Sequence, residues 1–92
     1  QQAVALAPNS PVVLDTLGTL QFETGDKAKG LENLKKAVSL GPNIPQLRFS
    51  LAKALAANGD KDGARKELEA ALRSAPEKAP IRKDIEKLRA TL

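Results

Sequence analysis

Residues 11–44 read PVVLDTLGTLQFETGDKAKGLENLKKAVSLGPNI, and residues 45–78 read PQLRFSLAKALAANGDKDGARKELEAALRSAPEK. Laid over one another at a shift of 34, Pro11 falls on Pro45 and Leu17 on Leu51. Gly25-Asp26-Lys27 falls on Gly59-Asp60-Lys61, and Leu34 on Leu68. The register continues outside the two blocks: Pro8, Pro42 and Pro76 align, as do Asn9 with Asn43, and Ala3 with Ala37 and Ala71. The matched residues are those that turn a backbone or fill a core, which marks a structural repeat.

Each unit reads as two helices. Ser10-Pro11 and Ile44-Pro45 open the first helix of a unit, because proline in the first turn gives up an N–H that has no partner there anyway. Val13, Leu14, Leu17 and Leu20 then recur at helical spacing, as do Leu47, Leu51, Ala54 and Leu55. Gly25 and Gly59 suit the left-handed residue that closes a helix, and Asp26 and Asp60 suit the cap of the next one. Leu31, Leu34, Ala37 and Val38 make the apolar stripe of one second helix, and Leu68, Ala71 and Leu72 that of the other. Gly41-Pro42 and Ala75-Pro76 end them, since proline cannot continue the ladder. The pattern predicts helices over 11–24, 27–40, 45–58 and 61–74, paired as antiparallel neighbours by their short links. Gly18 and Gly30 are expected to mark the closest approach in the first pair.

The two ends depart from this unit. Residues 1–7 match only the close of a second helix, so a helical stump and a truncated upstream repeat are expected over 1–10. At the other end Ile81, Ile85, Leu88 and Leu92 form one stripe, predicting a helix over 80–91. Glu86 stands there where the earlier units have Gly18 and Ala52, so residues 79–92 read as a polar-backed cap that covers Leu51, Leu55, Leu68 and Leu72. The expected architecture is a single all-α domain over 1–92, with full repeats at 11–44 and 45–78.

Composition narrows the chemistry. The sequence has no cysteine and no histidine, which removes the ordinary ligands of zinc, haem and iron–sulfur sites and every Ser-His or Cys-His pair. No cofactor or metal is expected. Asp62 with Lys66 and Glu69 with Arg73 read as surface pairs four residues apart on a helix. Gly-Asp-Lys is a turn and a cap, without the spacing of a phosphate-cradling loop. A catalytic function therefore has no residues to carry it. No stretch reaches the ~20 apolar residues of a membrane span. The chain opens on Gln1 with no visible leader and reads as a piece of a longer protein.

Charge is uneven: residues 1–44 balance, and the whole net charge of +4 falls in residues 45–92. That bias invites nucleic acid, but no aromatic is interleaved with the C-terminal basic residues to stack on bases, and Asp84 and Glu86 dilute the helix concerned. The period of 34 also differs from the 35 of the helical repeats that read single-stranded RNA. Nucleic acid is not expected as a partner.

With this period, the chain resembles the tetratricopeptide repeat (TPR) family. The residues that carry the likeness are the small Gly18, Gly30 and Ala37, the large Leu17 and Leu34, and Pro42. Their counterparts are Ala52, Ala64, Ala71, Leu51, Leu68 and Pro76. Leu14 and Arg48 replace a usual tryptophan, and Gln21 and Leu55 a usual tyrosine. The resemblance implies a helix–turn–helix solenoid that binds a protein or peptide segment on its inner face. Carried over, that face comprises Val12, Asp15, Thr19, Phe22 and Glu23, then Gln46, Phe49, Lys53, Ala56 and Ala57, then Pro80, Lys83 and Lys87. Family members that clamp a carboxylate tail use lysines and asparagines where this chain has Asp15 and Thr19, so that clamp is not expected. Phe49, framed by Lys53, Lys83 and Lys87, is the expected anchor for an acidic-hydrophobic segment. The alternative is that these repeats only space a binding site located elsewhere. More narrowly, LAKALAANGDKDGARKELEAALRSAP at 51–76 is similar to the C-terminal repeats of exosortase/PEP-CTERM-associated lipoproteins of bacterial exopolysaccharide export. That likeness implies a lipid-tethered protein on the periplasmic side; otherwise the cytoplasm is the expected location.

Overall fold

The structure, a computed structural model, describes residues 10–92, and the stump expected at 1–7 lies outside them. Five helices follow in order: α1 (Pro11–Glu23), α2 (Lys27–Leu40), α3 (Pro45–Ala57), α4 (Lys61–Ser74) and α5 (Ile81–Ala90). Each lies within a residue or so of its expected bounds, because the residues that end these helices act through the backbone. Pro11 and Pro45 open α1 and α3. Gly25 and Gly59 adopt φ of 106° and 92°, and the chain doubles back through them. The turns close alike: the Asp26 N–H donates to the Gln21 carbonyl and the Asp60 N–H to the Leu55 carbonyl, each at 2.8 Å. The same two aspartates then cap α2 and α4, accepting from the N–H of Lys29 at 3.4 Å and of Gly63 at 2.9 Å.

Small residues set how closely the hairpins pack. A β-carbon placed on Gly18 would lie 2.8 Å from the Gly30 carbonyl oxygen, and one on Gly30 would lie 2.7 Å from that of Gly18. Backbone meets backbone there. In the second hairpin Ala52 and Ala64 occupy the same places, and both are fully buried. A single apolar core runs through α1 to α5, and Leu34, Leu68 and Ile85 are its largest fully enclosed side chains.

Position in the stack decides burial more than residue type does. Leu51 is 3% exposed beneath its neighbours, whereas its repeat counterpart Leu17 is 43% exposed and Leu20 is 54% exposed. The outer edge of α1 is thus an apolar strip without cover among the described residues. The other edge is closed by α5, whose Ile85 joins the core while Leu72, Ile81, Leu88 and Leu92 pack around it. Polar ties hold α5 in place. Arg82 donates to the carbonyls of Leu72 at 2.9 Å and Ala75 at 3.0 Å, and Arg65 donates to the carbonyl of Leu92 at 3.0 Å.

Arg48 is half-buried, donating to the Pro42 carbonyl at 2.8 Å and to Glu67 at 2.9 Å, and so ties α3 to α4. The expected surface pairs are replaced. Asp62 pairs with Arg65 at 2.8 Å rather than with Lys66, and Glu69 and Arg73 form no ion pair among the described residues. Arg65 wins because its forked guanidinium serves Asp62 and the Leu92 carbonyl together, which an ammonium on Lys66 does not match.

Candidate functional site

The first helices α1, α3 and α5 lie side by side, and a depression occupies each crease between them. The first, about 210 Å³, has Thr19, Phe22 and Glu23 of α1 on one wall. Ser50, Lys53, Ala54 and Ala57 of α3 form the other, with Leu34 of α2 at its floor. The second, about 420 Å³, lies between Phe49 of α3 and Asp84, Lys87, Leu88 and Thr91 at the α5 side. Helical spacing places these residues: on α3, positions 50, 53, 54 and 57 share one face, and Phe49 turns toward α5.

Both phenylalanines are half-buried against the core, and each carries a lysine. The Lys53 ammonium lies 5.1 Å from the centroid of the Phe49 ring, and that of Lys27 lies 5.7 Å from Phe22. Lys53 therefore belongs to both depressions: it lines the first and covers the aromatic of the second. Among the described residues the ion pairs are Arg48–Glu67 and Arg65–Asp62, so Lys53 and Lys87 have no carboxylate within 4.0 Å. One acid shares each depression, Glu23 in the first and Asp84 in the second. On α1, the Asp15 Oδ1 atom is buried without a hydrogen-bond partner among the described residues. Gln46 is exposed and donates to the Ser50 hydroxyl at 3.4 Å.

The structure thus brings Thr19, Phe22, Phe49, Lys53 and Lys87 together around two adjoining creases. Val12 and Gln46 lie on the first turns of α1 and α3, outside both depressions. Lys83 lines a separate hollow, with Glu77, Lys78, Pro80, Arg82 and Glu86, where the α4–α5 link turns. Two ammonium groups, not three, stand by Phe49, and Asp84 joins them. Ser50 and Thr91 were not singled out from the sequence, and Leu34, Ala54 and Leu88 were read there as apolar packing positions rather than as lining of the groove. A signal for most of them exists: the 34-residue shift carries one wall of the first depression onto one wall of the second.

Among the described residues no acidic cluster is placed to hold a metal ion, and no helix is long and apolar enough to cross a membrane. Stacked helix–turn–helix units with an apolar, lysine-rimmed inner face define a helical-repeat scaffold. The family model described as tetratricopeptide repeat matches residues 16–79, and the chain belongs to that family. Its repeats generally mediate protein–protein contacts and are typically non-catalytic. A comparison with curated proteins finds no match.

Proposed function

We propose that the inner groove binds a peptide segment of a partner protein, with Phe49 as the apolar anchor. The observation that carries this is the setting of Phe49: half-buried at the edge of a depression, with Lys53 over its ring and Lys87 beside it. An exposed cation–π contact is worth only ~0.5–1 kcal/mol, so an incoming side chain displaces it at small cost. An apolar residue accompanied by carboxylates fits the anchor. Asp15 and Glu23 make the α1 end acidic, which orients the segment by charge.

The test is a titration of acidic-hydrophobic peptides followed by amide chemical shifts, on the wild type and on Phe49→Ala. Shifts clustered at residues 46–53 and 83–88, lost in a variant that stays folded, are the expected result. Binding indifferent to Phe49, or shifts confined to α2 and α4, would leave these repeats as a spacer. The lipid-tethered, periplasmic setting implied by residues 51–76 is a separate part of the proposal. Palmitate labelling of the full-length protein in a bacterial host tests it, and an unlabelled protein removes it.

A further inference from the structure

We infer that the segment this groove takes is an amphipathic α-helix with two apolar side chains seven residues apart and carboxylates along one flank. This rests on the peptide-binding reading above. Its ground is that one wall of the first depression is repeated as one wall of the second. The 34-residue shift carries Ser50 onto Asp84, Lys53 onto Lys87, Ala54 onto Leu88 and Ala57 onto Thr91. Each depression presents the same four positions of one repeat on one wall, and a phenylalanine stands on each facing wall, Phe22 and Phe49, at different repeat positions. A surface that repeats is matched by a ligand that repeats.

The step between creases sets the ligand's period. Packed neighbouring helices lie roughly 8–10 Å apart, and that is the distance from one crease to the next. Seven residues of α-helix make two turns and span about 10.5 Å, with both side chains on one face. Same-face residues of a strand come about 7 or 13 Å apart, and neither spacing fits. A polyproline helix matches the step, since three of its residues span about 9 Å. Its backbone, however, makes no internal hydrogen bonds and needs partners from the groove. An α-helix arrives with its backbone bonds made.

Charge selects the flank. Lys53 and Lys87 stand at the same repeat position without a carboxylate partner among the described residues. They call for ligand carboxylates at the same seven-residue period. Glu23 and Asp84 lie in the same depressions and repel a helix that is acidic all round, so the carboxylates belong on one side.

The experiment uses lactam-bridged helical peptides of about five turns built on alanine and glutamine. The first carries leucines seven apart, each with a glutamate one turn away. The second has the same composition with the leucines five apart, on different faces. Two more keep a single leucine, and a proline-rich peptide places its leucines three apart. Affinity and amide shifts are read on the wild type and on Phe49→Ala. The heptad-spaced helix should move amides at both depressions, Thr19 and Thr91 included, and losing either leucine should weaken binding about tenfold or more. Equal affinity for the five-apart helix, or tighter binding of the proline-rich peptide, overturns the helical period while leaving groove binding intact. Silence from every peptide overturns both readings.

Discussion

At Gly18 the usual advice of helix propensity should fail. Alanine favours a helix over glycine by about 1 kcal/mol, so on an open helix Gly18→Ala would stabilise. Here the added β-carbon meets the Gly30 carbonyl at 2.8 Å and the Leu34 side chain at 2.9 Å. The hairpin must open to admit it, and overpacking of this kind costs ~1–3 kcal/mol. Gly18→Ala is therefore expected to lower the urea midpoint, and Gly18→Leu to lower it further; a raised midpoint would show a looser hairpin. The two repeat-equivalent leucines offer a cleaner comparison still. Leu51→Ala should cost about 2–5 kcal/mol, since it empties a filled site, whereas Leu17→Ala at 43% exposure should cost under ~1 kcal/mol. Both substitutions delete the same atoms, so only the cover overhead differs. Equal losses would mean that α1 is as covered as α3.

Among the elements, α5 carries the largest single consequence. Its Ile85, 0% exposed, joins the buried cluster that holds Leu51, Leu55 and Leu68. Each buried aliphatic contributes ~1.5–3 kcal/mol, against a total of ~5–15 kcal/mol for a typical domain. Ending the chain at Ala79 should give a broad, weak thermal transition or aggregation; an unchanged cooperative melt would show that α5 is an ornament. Arg82→Ala, which gives up both bonds to the end of α4, is expected to cost about 1–2 kcal/mol by chemical denaturation, without loss of helix content by circular dichroism. The helices themselves were legible in the sequence because Pro11, Pro45, Gly25, Gly59, Asp26 and Asp60 act through backbone rules that do not wait for tertiary structure. Partners of long side chains were not. Arg65 chooses among several neighbours of similar energy, and only the fold brings the Leu92 carbonyl within its reach. The inner groove was half legible for the same kind of reason. Residues on one helix face follow from spacing, so Phe49 and Lys53 could be named together. The crease between α3 and α5 depends on how two helices lie, and that decides why Asp84 and Leu88 join Phe49 while Lys83, the residue before Asp84, does not.

For the whole molecule, the two edges of the stack differ in kind. Among the described residues the α1 edge shows Leu17 and Leu20 to solvent, and α5 turns out Lys83, Glu86 and Arg89, all exposed. Exposed aliphatic strips of this sort favour self-association, and charged helix faces oppose it. At high concentration the chain should associate through α1. The double variant Leu17→Lys with Leu20→Lys is expected to abolish that association in sedimentation velocity while keeping the melting temperature within a few degrees. Association that survives the double variant would place the contact elsewhere.

The closed α5 edge then bears on what such association can become. In the language of polymers, the described residues have one live end and one dead end. Two molecules that meet through their live ends leave only dead ends outward, so growth terminates at a pair. A chain with two live ends would propagate into a filament instead. The charges on α5 thus act as a stop codon for assembly, written in side chains.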